Sequence, residues 1–361
     1  MRVVDLKIED VGFGGKGVGR EQGKAVFVPY TIESEIVSAE IVREKKQFAE
    51  AELVEVKQKS PDRVESLCPY FGRCGGCAYQ HVSYEHQLAI KWRQVRDALQ
   101  RIGKLKDVPM RPIIPSPKQY AYRNRVTVHA QDGAIGFFRR DSHQLIDIEH
   151  CPISTDEVNR ALTELRTQPY VRDGHYTLRT AASSRVFSQT NDDVADALRD
   201  LVVNLVPPNQ KLLIDAYCGV GFFAKVLLDK FERIIGIDWD EFAIAAAREN
   251  ATEKETYIAS DVETELTRSD GFLASEGETR RLGSCRSLTL IVDPPATGLS
   301  ENVRKAIIDL APQTLIYVSC NPPTLARDLR ELQDKFIIES VTPLDMFPQT
   351  AEIEVLVHLH A

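Results

Sequence analysis

Nowhere in the 361 residues does an apolar run approach the ~20 residues that cross a bilayer, so no membrane-spanning helix and no membrane partner is expected. The first residues, MRVVDLKIEDVG, carry charges where a signal peptide needs an apolar stretch. Cysteine is sparse: there are seven, three of them at positions 68, 74 and 77. A secreted disulfide scaffold would be shorter and richer in cysteine, so a soluble, cytoplasmic protein is expected. Positive charge is also short, with a formal net charge of −8, where a basic footprint is the usual sign of a nucleic-acid partner. The shortage is uneven. Residues 1–190 hold 29 Lys and Arg against 24 Asp and Glu, whereas residues 191–361 hold 16 against 29. The first part is free to face phosphates while the second takes a cationic ligand.

The remaining composition is globular, with 43% hydrophobic and 27% charged residues, and the length allows two or three domains. Runs at 26–28, 35–42 and 49–56 alternate apolar and polar positions, which predicts the short strands of a small barrel. The stretch Gly12–Arg20 interrupts them and reads either as bends of that barrel or as a mobile hairpin loop. A helix is predicted over 84–101, its Lys91, Arg93, Arg96 and Arg101 read as a solvated face, with RNA contact as the second reading. Strands return over 111–150, where Tyr120–Arg125 and Gly136–Arg140 interleave aromatics with arginine. Such residues either stack on bases and pair with phosphates or are strand residues with outward charges. Ser154 and Glu157 form a capping box opening a helix through Leu165.

From about residue 186 strands and helices alternate. LLIDAY (212–217), RIIGID (233–238), LTLIVD (288–293) and LIYVS (315–319) read as buried parallel strands, with helices at 241–250 and along Leu325, Leu329 and Leu332. Residues 268–286 look like a surface insertion, and strands at 336–342 and 353–359 close a doubly wound α/β domain. Asp215–Gly221 ends the first of these strands and is expected to open a helix, and Asp238 ends the next, where a carboxylate can bind both hydroxyls of a ribose. A dinucleotide usually asks for GxGxxG; here Phe222 and Phe223 follow GxG, which better suits a cofactor without phosphate. Asp293-Pro294-Pro295 makes a rigid acidic edge at the tip of a buried strand. Cys320, in Ser319-Cys320-Asn321-Pro322-Pro323, stands at the tip of another, either packed as free cysteine usually is or exposed enough to ionise.

Four further cysteines, Cys68, Cys74, Cys77 and the distant Cys151, supply a thiolate set suited to zinc or to an iron–sulfur cluster. Paired CxxC knuckles, the commoner zinc pattern, are missing. Cys218 and Cys285 are left over.

Taken together, SCNPPTLARD around Cys320, DPP at Asp293, FSQTN (187–191), DMFPQT (345–350), Arg123-Asn124-Arg125 and SHQLIDIEHCPI (142–153) resemble the RNA 5-methyluridine methyltransferases. The resemblance spans nearly the whole chain. It implies a class I S-adenosylmethionine-dependent methyltransferase domain over 186–361, an RNA-binding, OB-like TRAM barrel over 1–56, and a small central α+β domain over 57–185. Packing of helix 84–101 on the methyltransferase domain is left open. It implies Cys320 as nucleophile, Glu354 as base, and Gln189, Tyr217, Asp238 and Asp293 as binders of S-adenosyl-L-methionine or uracil. It also places a [4Fe-4S] cluster on Cys68, Cys74, Cys77 and Cys151, with a 23S rRNA or a tRNA as substrate of a monomeric enzyme. Period two sends Glu352 and Glu354 to the same side of the last strand. Three positions depart from the family pattern: Phe222 where many relatives have Asn or Thr, Ala296 where they have Arg, and Glu352 where they have His. A family member that binds or folds RNA with vestigial catalysis is the alternative.

Overall fold

The computed structural model describes residues 2–181, 189–267 and 288–361. The expected insertion at 268–286 with Cys285, and Phe187 and Ser188 of FSQTN, lie outside the described residues. Among those described, no helix is long and apolar enough to cross a membrane.

Strands β1 (Arg2–Val11), β2 (Lys16–Glu21), β3 (Lys24–Pro29), β4 (Ile36–Glu44) and β5 (Phe48–Gln58) close into a barrel in the order β1-β2-β3-β5-β4. Alternation does the work: Val4, Leu6, Ile8, Val26, Val28 and Val37 point inward and are buried. The glycine stretch is only partly a loop. Gly17 and Gly19 lie within β2, and a Cβ on Gly17 would stand 2.0 Å from Thr31 Oγ1, so strand crossing rather than mobility demands that glycine.

Helix α1 (Tyr84–Arg101) buries Val95, Ala98 and Leu99 in one apolar cluster with Leu325, Ala326, Leu329 and Leu332 of the last helix, so it packs on the α/β domain. Each leucine buried this way contributes about 1.5–3 kcal/mol. Its charges do not form the solvated face expected: Lys91 is fully buried, Arg93 pairs with Glu33, and Arg96 and Arg101 both pair with Asp97. Beyond it, β6 (Arg125–Gln131), β7 (Ala134–Phe138), β8 (Leu145–Asp147) and β9 (Gly174–Arg179) form a sheet in the order β8-β7-β6-β9, against which α2 (Asp156–Arg166) packs. The cap of α2 is Thr155, not Ser154: its hydroxyl accepts from Val158 N, and Glu157 instead accepts from Ala181 N. Arg140 is turned inward, donating to the carbonyls of Gly14 (3.2 Å) and Cys77 (3.3 Å).

After α3 (Asp192–Leu205) come β10 (Gln210–Ala216), β11 (Phe231–Asp238), α4 (Glu241–Glu249), β12 (Glu255–Ala259) and α5 (Val262–Thr267). Then follow β13 (Leu288–Val292), α6 (Glu301–Leu310), β14 (Thr314–Ser319), α7 (Pro322–Leu332), β15 (Ile337–Leu344) and β16 (Glu354–His360). Their sheet runs β12-β11-β10-β13-β14-β16-β15, parallel except for β16. No helix opens at the glycine turn as expected. Gly219 and Gly221 take positive φ, and a 3-10 helix, Lys225–Lys230, follows instead. The outer edge of β15 is covered by the central segment: Arg111 N and Ile114 N donate to Val341 O and Pro343 O.

Candidate active site

Parallel strands deliver their carboxyl ends to one edge, and the chemistry-bearing residues gather there. Tyr217 follows β10 with φ +65°, Asp238 ends β11, Asp293 follows β13, and Cys320 follows β14. Ser319 pairs with Val355, so the next residue on each strand, Cys320 and Glu354, sit side by side as the strands part. Glu354 also pairs with Leu344, which places it at the neck of the 345–353 connection. Here the sequence reading needs correcting. β16 begins at Glu354, so Glu352 precedes the strand and is exposed while Glu354 is buried. Period two did not extend that far.

The geometry of the turn is set by backbone donors. Asp238 Oδ2 accepts from Gly219 N at 2.8 Å and its Oδ1 from Asp240 N at 2.9 Å. Asp215, wholly buried beneath it, accepts from Ala224 N at 3.0 Å through Oδ2, and its Oδ1 has no partner. Burial, with the charges of Asp293 and Asp238 added, pushes Asp215 up to about 7. Asp293 is likewise raised to about 7 by burial and by Asp238. Burial raises Tyr217 to about 12. Glu354 lies well above the usual carboxylate range through burial, then Asp293 and Glu352. Cys320 is raised to about 12 by burial, then by Glu354 and Asp293. Burial first, and then the neighbouring carboxyl groups, favour the neutral thiol.

Asn321 aims the nucleophile loop: its side chain caps α7 by accepting from Thr324 N (3.3 Å), and Pro322 and Pro323 occupy the first turn. Thr324 Oγ1 donates to Ala296 O at 3.0 Å, tying the two proline-bearing loops together through the very residue that departs from the family pattern. Phe222 stacks edge-on with Phe223 at 4.8 Å, filling the turn with apolar volume. Gln189 enters from the segment before α3, where its carbonyl accepts from Asn124 Nδ2 (3.1 Å) and the neighbouring Asn191 donates to Met346 O.

Four other cysteines, Cys68, Cys74, Cys77 and Cys151, lie in the chain between the barrel and the large sheet. All are free and partly exposed. Burial raises Cys74 to about 11 and Cys77 to about 12, and both also feel Cys151 and Cys68. The set is sulfur alone and mutually close, which suits a soft metal. Among the described residues, however, no three His, Cys, Asp or Glu side chains converge on a single-ion geometry.

Counted within the large sheet, the strand order is 3-2-1-4-5-7-6 with an antiparallel seventh strand. With a glycine turn after strand 1 and an acid closing strand 2, this is an S-adenosylmethionine-dependent methyltransferase, joined here to a TRAM barrel. Residues 170–361 match the tRNA (uracil-5-)-methyltransferase family and residues 1–54 the TRAM domain. The chain belongs to the tRNA (uracil-5-)-methyltransferase family. An uncharacterised RNA methyltransferase of Bdellovibrio bacteriovorus is 33% identical, the alignment covering 99% of this chain and 94% of that protein. One from Halalkalibacterium halodurans is 28% identical over 98% of this chain and 95% of its own length. The solved tRNA (uracil-54, C5)-methyltransferase of Pyrococcus abyssi, in complex with S-adenosyl-L-homocysteine, shares the fold with a TM-score of 0.71 at 24% identity, over 99% of this chain and 100% of that one.

Several residues that build the site were missed in sequence. Lys91 Nζ donates to Asp345 Oδ1 at 2.6 Å with both side chains fully buried, and Gln87 reaches Gln349. The signal was available: Gln87, Ile90, Lys91, Gln94 and Val95 lie on one helical stripe with the apolar face.

Proposed function

We propose that this protein methylates carbon 5 of a uridine in RNA, with Cys320 as nucleophile and Glu354 as base. The observation carrying this reading is the placement of Cys320 and Glu354 side by side at the carboxyl edge, beside Asp293. Uracil carbon 5 is too poor a nucleophile to take a methyl group unaided. The Cys320 thiolate forms a bond to carbon 6, and the displaced π electrons make carbon 5 an enolate-like carbanion. S-adenosylmethionine, held by residues of the carboxyl edge, would supply the methyl group: carbon 5 bonds to it as the S–CH3 bond breaks and the sulfur leaves as a neutral thioether, and before transfer the sulfonium charge would offset the surrounding carboxylates. Glu354 then takes the proton from carbon 5; the C5–C6 double bond re-forms and the thiolate leaves. A carboxylate whose pKa is raised by burial is the stronger base for that step.

Tyr217, Asp238, Asp293 and Gln189 belong to this reading as binders of cofactor or uracil. The barrel and the central unit, divided at residues 57 and 186, hold the RNA in a cytoplasmic, monomeric enzyme. Cys68, Cys74, Cys77 and Cys151 are assigned to a [4Fe-4S] cluster, supported by an all-sulfur donor set close enough for mutual electrostatic effects. Iron retained after anaerobic purification, with absorbance near ~400 nm, checks it; zinc alone refutes it.

The experiment is transfer of labelled methyl from S-adenosylmethionine to total RNA. The expected product is 5-methyluridine, lost in Cys320→Ala, and its position decides between 23S rRNA and tRNA. Label on any other atom would overturn the reading.

A further inference from the structure

The 345–353 connection leaves the sheet at Leu344 and returns at Glu354, and those two residues pair with each other. Glu354 therefore stands where the connection closes, and whatever fixes the connection fixes the carboxylate. Gln349 has φ +69°, a conformation an L residue avoids without outside support. That support comes from the central domain. Ala78 N and Tyr79 N both donate to Gln349 O at 2.9 Å. The Gln87 amide meets the Gln349 amide twice: Nε2 donates to Gln349 Oε1 at 3.0 Å, and Oε1 accepts from Gln349 N at 3.1 Å. The same Nε2 also reaches Tyr79 O and Val82 O, so one buried side chain joins α1, the cysteine segment and the connection. Lys91 adds Asp345 and Phe347 O, and Tyr122 donates to Pro348 O at 3.0 Å. The barrel closes the back: a Cβ on Gly15 would stand 3.3 Å from Ala351 Cβ and 2.8 Å from Ala78 Cβ.

We propose that Gln87 is a positioning residue for the reaction, holding Glu354 in register with Cys320 through Gln349. The proposal rests on the role assigned to Glu354 above. Its consequence is specific. Displacing the base spares thiolate addition and methyl transfer, which need Cys320 and the cofactor, and slows only proton removal from carbon 5. The protein–RNA adduct that awaits this step accumulates.

The test compares Gln87→Met, Gln349→Ala, their double variant and Glu354→Gln in the full chain. Turnover, KM for RNA, the adduct-to-product ratio on denaturing gels and the thermal midpoint are all measured. Gln87→Met keeps the volume and removes both bonds to the Gln349 amide together with those to Tyr79 O and Val82 O. It is expected to lower kcat about 10–100-fold with KM unchanged, in line with the cost of small misplacements. The adduct ratio should rise, and the double variant should be no worse than the poorer single one. Glu354→Gln should show the same trapping, more completely. A Gln87→Met enzyme with unchanged kcat, or with adduct and product falling together as folded protein is lost, overturns the positioning role and leaves the base intact. Glu354→Gln that turns over without trapping overturns the base assignment and the proposal with it. If Gln87→Met does not fold, Gln349→Ala, which leaves α1 untouched, decides by the same ratio.

Discussion

The barrel and the large sheet are both β-structures closed to water, yet their interiors differ in kind. The core cluster of the barrel is aliphatic, from Val4 and Leu6 to Ala49 and Ala51, with the buried Glu35 at its margin paired to Arg63. The sheet buries Asp215, Asp238 and Glu354 at one edge and the Lys91–Asp345 pair behind it. An aliphatic cluster has no group to titrate and does no chemistry. A sheet edge that sequesters carboxylates is costly, because burial penalises the charged form, and it raises both Asp215 and Glu354.

The largest effect expected from breaking this contrast is at Cys320. Cys320→Ala should lower methyl transfer by at least about 10⁴-fold while moving stability by no more than about 1 kcal/mol, since a partly exposed thiol packs little. Turnover beside a urea unfolding curve measures both. Next is Lys91→Met, which leaves Asp345 buried and uncompensated and should destabilise the chain by about 3–5 kcal/mol. Adding Asp345→Leu should recover part of that loss in the same unfolding measurement.

A pH dependence should then mark the sheet edge and spare the barrel. Asp215 stands near 7 in the folded chain through burial, against about 3.9 unfolded. Across that interval the folded protein keeps a proton that the unfolded chain has released, so the contribution of Asp215 is fully present below about pH 4 and is lost as pH rises towards 7. Asp215→Asn keeps an acceptor for Ala224 N and should flatten this slope in unfolding midpoints taken at pH 5 and pH 8. Asp293, raised to about 7 as well, should leave a residual slope. The smallest effect is Ile8→Val in the barrel, about 0.5–1.5 kcal/mol, with no change of slope and no change in adduct chemistry.

Much of the site was legible because its chemistry sits in short local motifs: Cys320 beside Asn321-Pro322-Pro323, Asp293 before its prolines, Asp238 at a strand end. What was misread failed at boundaries and across distance. Glu352 was placed with Glu354 because period two was carried ahead of a strand expected from 353 and observed from Glu354, and the box opening α2 was centred on Ser154 when Thr155 faces Val158 N. Lys91 read as solvent-facing because lysine usually is, and nothing near it in sequence announces Asp345.

The sequence by itself determined which residues could react and the order of elements that carries them, since both follow from residue type and hydrophobic period over a few positions. Only the tertiary structure decided how Glu354 is held. Its neck is pinned by Gln87, Ala78 and Tyr79 through hydrogen bonds to a residue more than two hundred positions away, and such pairings exist only once the sheet, α1 and the cysteine segment are packed together.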